Sequence, residues 1–216
     1  MDGKTMVQKT ASSPTPDAAP TKSELEWQAH MDAHQFRSLK GEANIPKRHD
    51  TPFGMRQQGE WRIKYDTLCK CLFERRGAMI AIIGPRGTGK TQMAVDALNL
   101  WMHKAKLGAL YARAFDVFAA IKETYRENAR HTEIDAIKKF ASIPMLVIDE
   151  MQVRSETDWE NSMLTSILDQ RYMYLKYTIM IANLEHDAFM KHVGASVYDR
   201  VVETGGVISC TWESFR

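Results

Sequence analysis

Three cysteines in 216 residues, Cys69, Cys71 and Cys210, make neither a Cys-x-x-Cys pair nor an even set. That excludes a disulfide scaffold and predicts free thiols in a reducing compartment. Long apolar runs are missing as well. No stretch approaches bilayer length, and the opening MDGKTMVQKTASSPTPDAAPT has no apolar segment of the signal-peptide kind. No membrane partner is therefore expected, and the cytoplasm is the expected location. Zinc chemistry has little to work with: His30 and His34 share a helix face, yet nothing nearby completes a four-ligand site. Neither sign of charge dominates. With 29 Lys plus Arg against 27 Asp plus Glu, a formal net charge of +2, any nucleic-acid contact must be local rather than a property of the whole surface. What the chain does have is 44% hydrophobic residues, enough for the core of one ordinary domain with an appendage.

The most informative stretch is residues 78–91, AMIAIIGPRGTGKT, which holds the Gly-x-x-x-x-Gly-Lys-Thr spacing of a Walker A phosphate loop. A loop that wraps polyphosphate needs small residues so that backbone N–H groups can point inward, and a helix whose positive end starts at the phosphates. The expected nucleotide-binding set is Gly84, Pro85, Arg86, Gly87, Thr88, Gly89, Lys90, Thr91 and Gln92. Lys90 reaches the outer phosphates of ATP as a point charge, and the Thr91 hydroxyl suits Mg²⁺, which prefers oxygen ligands. The context fits: Met79, Ile80, Ala81, Ile82 and Ile83 read as a buried parallel strand, and the residues from Thr91 read as a helix.

Downstream, the apolar run of residues 145–148 reads as a strand that presents Asp149 and Glu150 at its carboxyl end, the Walker B arrangement. Ligands of open α/β sheets sit at that edge, so Asp149 is expected in the metal shell and Glu150 beside the attacking water. A further strand over residues 178–182 ends in Asn183, which either caps the following helix or orients the water or the terminal phosphate. Before the core, residues 1–21 read as a mobile tail rich in Ser, Thr, Ala and Pro, and a short helix is predicted from Ser23 with a connector after it. Ile63, Leu68, Leu72 and Phe73 are expected to form the apolar face of a helix ahead of the first strand.

Beyond the Walker motifs, NIPKR, IKETYREN, MLVIDEMQV, LTSILDQRY, TIMIANLEHDAF, SVYDRV and the closing WESFR make residues 44–216 similar to the ATPase part of DnaC-type loaders of bacterial replicative helicases, within the AAA+ class. The resemblance implies an α/β P-loop fold, a parallel sheet flanked by helices, without the C-terminal lid domain of many AAA+ proteins. It divides the chain into the tail, a helical helicase-binding appendage and linker at 22–50, and the ATPase domain at 51–216. It also implies ATP hydrolysis, a hexameric replicative helicase and single-stranded DNA as partners, and self-association in which one subunit completes its neighbour's site. An extra helix after the second strand contacts single-stranded DNA in that family. Here the stretch read as helix over 116–130 would put Lys122, Arg126 and Arg130 in one row beside Tyr125. The row is either a backbone-tracking edge or a solvated face with Tyr125 in the core. The family's arginine finger, two residues after the glycine matching Gly194, is Ser196 here. Arg200 is the remaining candidate for action across a subunit boundary, with an ion pair to Glu203 as the local alternative. A transposition helper ATPase acting with a transposase is the rival function; a small-molecule kinase and a non-hydrolysing scaffold are more distant ones.

Overall fold

The computed structural model describes residues 22–50 and 59–215; the side chains of residues 22–28, 30 and 31 lie outside the description, as does the predicted tail. Packing divides the chain into two units, residues 1–34 and 35–216. In the first, the described backbone is the start of α1 (Lys22–Glu42). The second is built on β1 (Met79–Ile83), β2 (Ala109–Arg113), β3 (Met145–Asp149), β4 (Tyr177–Ala182) and β5 (Gly206–Ser209). All pairings are parallel, in the order β2-β3-β4-β1-β5. This is the α/β sheet flanked by helices that the sequence predicts. No helix among the described residues is long and apolar enough to cross a membrane.

Parallel strands need crossovers, and crossovers put helices on both faces, which is why β1 and β3 are buried at every position and read as plain apolar runs. One face packs Ile80, Ile82, Val147, Ile179 and Ile181 against α2 (Glu60–Glu74) and α3 (Lys90–Ala105), through Leu68, Leu72, Leu98 and Trp101. The other packs Ala81, Ile83, Leu146, Ile148 and Met180 against α4 (Ala114–Lys122), α5 (Glu133–Ser142), α6 (Asp158–Met173), α7 (His186–Val193) and α8 (Ala195–Thr204). Helix starts follow local chemistry. Thr132 and Asp135 form a reciprocal capping box at α5, and the Thr157 side chain accepts from Glu160 N at α6.

Several expectations need correction. The predicted 116–130 helix stops at Lys122, gives one 3-10 turn (Glu123–Tyr125), and is extended at Arg126 (φ −72°, ψ 147°). Thr124 Oγ1 donates to Ile121 O at 2.7 Å, a side-chain bond that competes with continued helix. Lys122, Arg126 and Arg130 therefore do not share a helical row. In α2, Ile63 is 65% exposed and Phe73 41%; Trp61, Leu68 and Leu72 make the buried face instead. The α1 helix is longer than predicted, at 21 residues. Residues 35–50, expected in appendage and linker, pack with the sheet unit. Phe36 meets His103 edge-on at 5.4 Å, and Ala43 O accepts from Tyr111 N at 2.8 Å. With Asn44 Nδ2 donating to Tyr111 O at 3.2 Å, this segment covers the outer edge of β2, which would otherwise present unpaired backbone groups.

Candidate nucleotide-binding site

The phosphate loop leaves β1 at Gly84 and enters α3 at Lys90. Gly84 has φ 129°, and an added Cβ would lie 2.2 Å from Cys210 O; at Gly87 (φ 85°) it would lie 2.0 Å from Ser214 Oγ. Both positions need glycine because the closing segment of the chain crosses directly over the loop. Trp212 Nε1 donates to Thr88 O at 3.1 Å and Phe215 N to Gly87 O at 3.0 Å. On the other flank, Trp61 Nε1 donates to Gly89 O at 3.4 Å, its ring stacked on Tyr65. Carbonyls of the loop are thus held from outside, which favours an inward set for the amides. Lys90 is buried, with Nζ donating to Gly84 O at 2.8 Å and to Pro85 O at 2.5 Å; burial lowers its pKa. Pro85 and Arg86 are exposed. The Gln92 side chain does not face the loop: it bonds His49 O and Asp96, each at 3.0 Å, so only its backbone at the helix start remains for a phosphate.

Opposite the loop stands the acidic end of β3. Asp149 is buried and accepts from Thr91 Oγ1 at 2.8 Å, joining the two residues expected in one metal shell. Glu150 is exposed, in a left-handed backbone conformation (φ 55°), with its N–H donating to Asp149 Oδ1 at 2.6 Å. The two carboxylates thus differ in setting, one buried and the other exposed. Asn183 lies one residue beyond β4, where Ala182 is in register with Ile83, so it adjoins the loop. Its backbone N–H donates to Gln152 Oε1 at 2.8 Å. The helix that follows is capped at Glu185, without a side-chain bond, so Asn183 is not its cap.

Arg200 is part of a tight cluster within its own chain. It pairs with Asp169 at 2.5 Å, donates to Ser196 Oγ at 2.9 Å and lies over the Tyr172 ring at 5.3 Å. The local partner is thus Asp169 rather than Glu203, which instead accepts from Tyr172 OH at 2.8 Å. Away from the loop, Lys122 lies 3.8 Å from Glu160 and over the Trp159 ring at 5.1 Å, and Arg126 pairs with Glu123 at 2.8 Å. Tyr125 is 55% exposed, so it is not in the core; its hydroxyl donates to Glu133 and accepts from Trp159 Nε1 at 2.9 Å. Arg126 and Arg130 line an open groove of about 700 Å³ with His131, Lys139 and Phe140.

Three residues at the site escaped the sequence reading. Tyr111 OH donates to Asp149 Oδ2 at 2.7 Å, Trp212 holds Thr88, and Trp61 backs Gly89. Trp212 was visible only as part of the closing WESFR, without a role.

The sequence family described as IstB-like ATP binding protein matches residues 27–216. The replicative helicase loader DnaC of Escherichia coli strain K12 is 28% identical over 145 residues, covering 67% of this chain and 58% of that protein. The chain thus spans less than two thirds of the length of the curated relatives it matches. Among solved structures, the DnaC helicase loader superposes with a TM-score of 0.65 at 18% identity, over 76% of this chain and 99% of that one. The replication initiator DnaA bound to AMPPCP and single-stranded DNA gives 0.63 at 19%, over 79% and 52%. At those identities the two superpositions speak for the fold alone, an α/β sheet flanked by helices.

Proposed function

The chain belongs to the family of IstB-like ATP-binding proteins, and on that premise we propose that it is an ATP-hydrolysing loader that binds a hexameric replicative helicase and helps to place it on single-stranded DNA. The observation that carries the catalytic half is the Thr91–Asp149 contact at 2.8 Å, across from Lys90 and next to Glu150. A hydroxyl and a carboxylate set side by side are hard oxygen ligands, so Thr91 and Asp149 fit Mg²⁺ and are the residues that would hold it. A cation held there would supply positive charge against the negative charge that develops on the phosphates during transfer. Lys90 holds the outer phosphates, Glu150 takes a proton from the attacking water, and Asn183 orients that water. Arg200, once released from Asp169, is the residue offered to a neighbour's site.

The similarity to the DnaC loader supports the partner half. Its test is capture: the protein with ATP is expected to co-purify with a hexameric replicative helicase. Retention by a transposase instead, with none by the helicase, would favour the transposition-helper reading. The role of residues 22–50 in that capture is part of the proposal, with the apolar Trp27 and Phe36 offered as its anchors; the Trp27 side chain lies outside the described residues, and Phe36 is half-buried against the sheet unit.

For the DNA contact, Lys122, Tyr125, Arg126 and Arg130 act as a rim rather than a row. Lys122 and Arg126 are already in ion pairs, so Arg130 has the most charge to give a phosphate. Each phosphate neutralised on a single strand adds about 0.7 to the slope of log affinity against log salt. Arg130→Ala is expected to flatten the slope by about 0.7, and replacing all three cations with alanine by up to about 2. Titrations at several salt concentrations check this. An unchanged slope in a folded triple variant would leave the rim as a solvated face.

A further inference from the structure

We infer that Tyr111 is a positioning residue for the metal shell, a phenol that locks the Asp149 carboxylate in the orientation from which it serves the cation. The inference rests on the reading of this site as one for ATP with Mg²⁺. Three donors converge on Asp149: Thr91 Oγ1 at 2.8 Å and Tyr111 OH at 2.7 Å on Oδ2, and Glu150 N at 2.6 Å on Oδ1. A carboxylate offers about four lone-pair sites, so one is left, on Oδ1. With only Thr91 on Oδ2 and Glu150 N on Oδ1, each oxygen would have one donor and the carboxylate some freedom to swing about its Cβ–Cγ bond. A second hydroxyl on the same oxygen, from a different strand, removes that freedom.

The phenol suits the task for three reasons. Tyr111 is 6% exposed and Asp149 4%, which leaves little room for water to take over the bond. The base of the side chain is fixed, since Tyr111 N donates to Ala43 O and Tyr111 O accepts from Asn44 Nδ2. A neutral donor also leaves the carboxylate its full negative charge, where a lysine or arginine would cancel it. The hydroxyl of Thr91, with its proton turned to Asp149, keeps its lone pairs for the cation. Outer partners that orient ligands in this way change metal affinity by about 10- to 100-fold when removed.

The test is equilibrium binding of a fluorescent ATP analogue to the full chain, titrated with MgCl₂ or measured in EDTA. Tyr111→Phe keeps the ring that packs against the sheet and removes only the hydroxyl. The expected result is an increase of about 10-fold in the Mg²⁺ concentration for half-maximal tight binding, with affinity in EDTA unchanged. An unshifted Mg²⁺ midpoint would overturn the inference and leave Tyr111 as a core residue. A loss of affinity in EDTA, with or without a midpoint shift, would also overturn it, because the defect would then be in the shape of the site. If the wild-type protein itself binds the analogue with no dependence on Mg²⁺, it is the ATP–Mg²⁺ reading that fails.

Discussion

Glu150→Gln is expected to bind ATP as tightly as the wild type and to hydrolyse it at least about 10²-fold more slowly, the usual contribution of a positioned general base. The two carboxylates at the end of β3 have separable duties. Asp149 is buried and accepts from three donors, whereas Glu150 is exposed, in a left-handed backbone conformation. Glutamine matches glutamate in size and keeps the backbone N–H that holds Asp149 Oδ1, so the change removes a base and little else. Lys90→Ala is the contrast: it deletes a buried ammonium that lies against the phosphate loop, and nucleotide affinity itself should fall. Single-turnover and binding measurements separate the two, and full turnover in Glu150→Gln would remove that residue from the chemistry. Mixing adds a check on Arg200. If that arginine leaves Asp169 to enter a neighbour's site, co-assembled Arg200→Ala and Glu150→Gln chains should recover part of the rate that each lacks alone, because heterologous interfaces rebuild some whole sites. No recovery would confine Arg200 to its contacts with Asp169 and Ser196.

Much of this could be read from the sequence because the sheet is doubly covered. Residues 79–83, 145–149 and 177–182 are buried almost throughout, and full burial writes itself as unbroken apolar runs. Asp149, Glu150 and Asn183 were legible for a related reason, since a polar residue ending such a run lies at the carboxyl edge of the sheet. Helical stretches were less legible where several patterns compete. In α2 the spacing of Ile63 and Phe73 is as apolar as that of Trp61, Leu68 and Leu72, and only the packing against the sheet chooses between them. After Lys122 every residue to Arg130 tolerates helix, and the stop comes from a threonine hydroxyl bonded to Ile121 O, which periodicity does not register. Tyr111 left no signal at all. A tyrosine in a strand reads as core, and its role depends on the hydroxyl reaching a carboxylate 38 residues away on the neighbouring strand.

The second large effect is on stability and centres on Arg171, a charged residue on the buried face of α6. Its guanidinium is fully buried, and none of its hydrogen-bond acceptors is a carboxylate. It donates to Phe140 O at 2.7 Å and Ile143 O at 2.8 Å at the end of α5, to Tyr177 O at the start of β4, and to Thr178 Oγ1 at 2.9 Å. Burial pushes its pKa down to about 9, which leaves it charged at neutral pH. One side chain thus satisfies the orphan carbonyls at the end of a helix and ties that end to the next strand. In Arg171→Met the cation's desolvation cost disappears, but the carbonyls lose their donors at about 1–3 kcal/mol each. The losses outweigh the gain, and a net destabilisation of roughly 3 kcal/mol is expected, comparable to breaking a buried charge network. For a chain of this size that corresponds to a fall in Tm of about 6–12 °C. Arg171→Lys keeps the charge but has three donors on a single atom, so it should recover only part of the difference. The cluster sits at the amino ends of the strands, while the phosphate loop, Asp149 and Glu150 sit at the carboxyl ends. Nucleotide affinity measured well below the transition should therefore match the wild type, as expected for independent sites. Thermal melts with binding titrations decide it: an unchanged Tm would mean that the carbonyls find other donors, and a loss of affinity in the folded protein would mean that the two edges of the sheet are coupled.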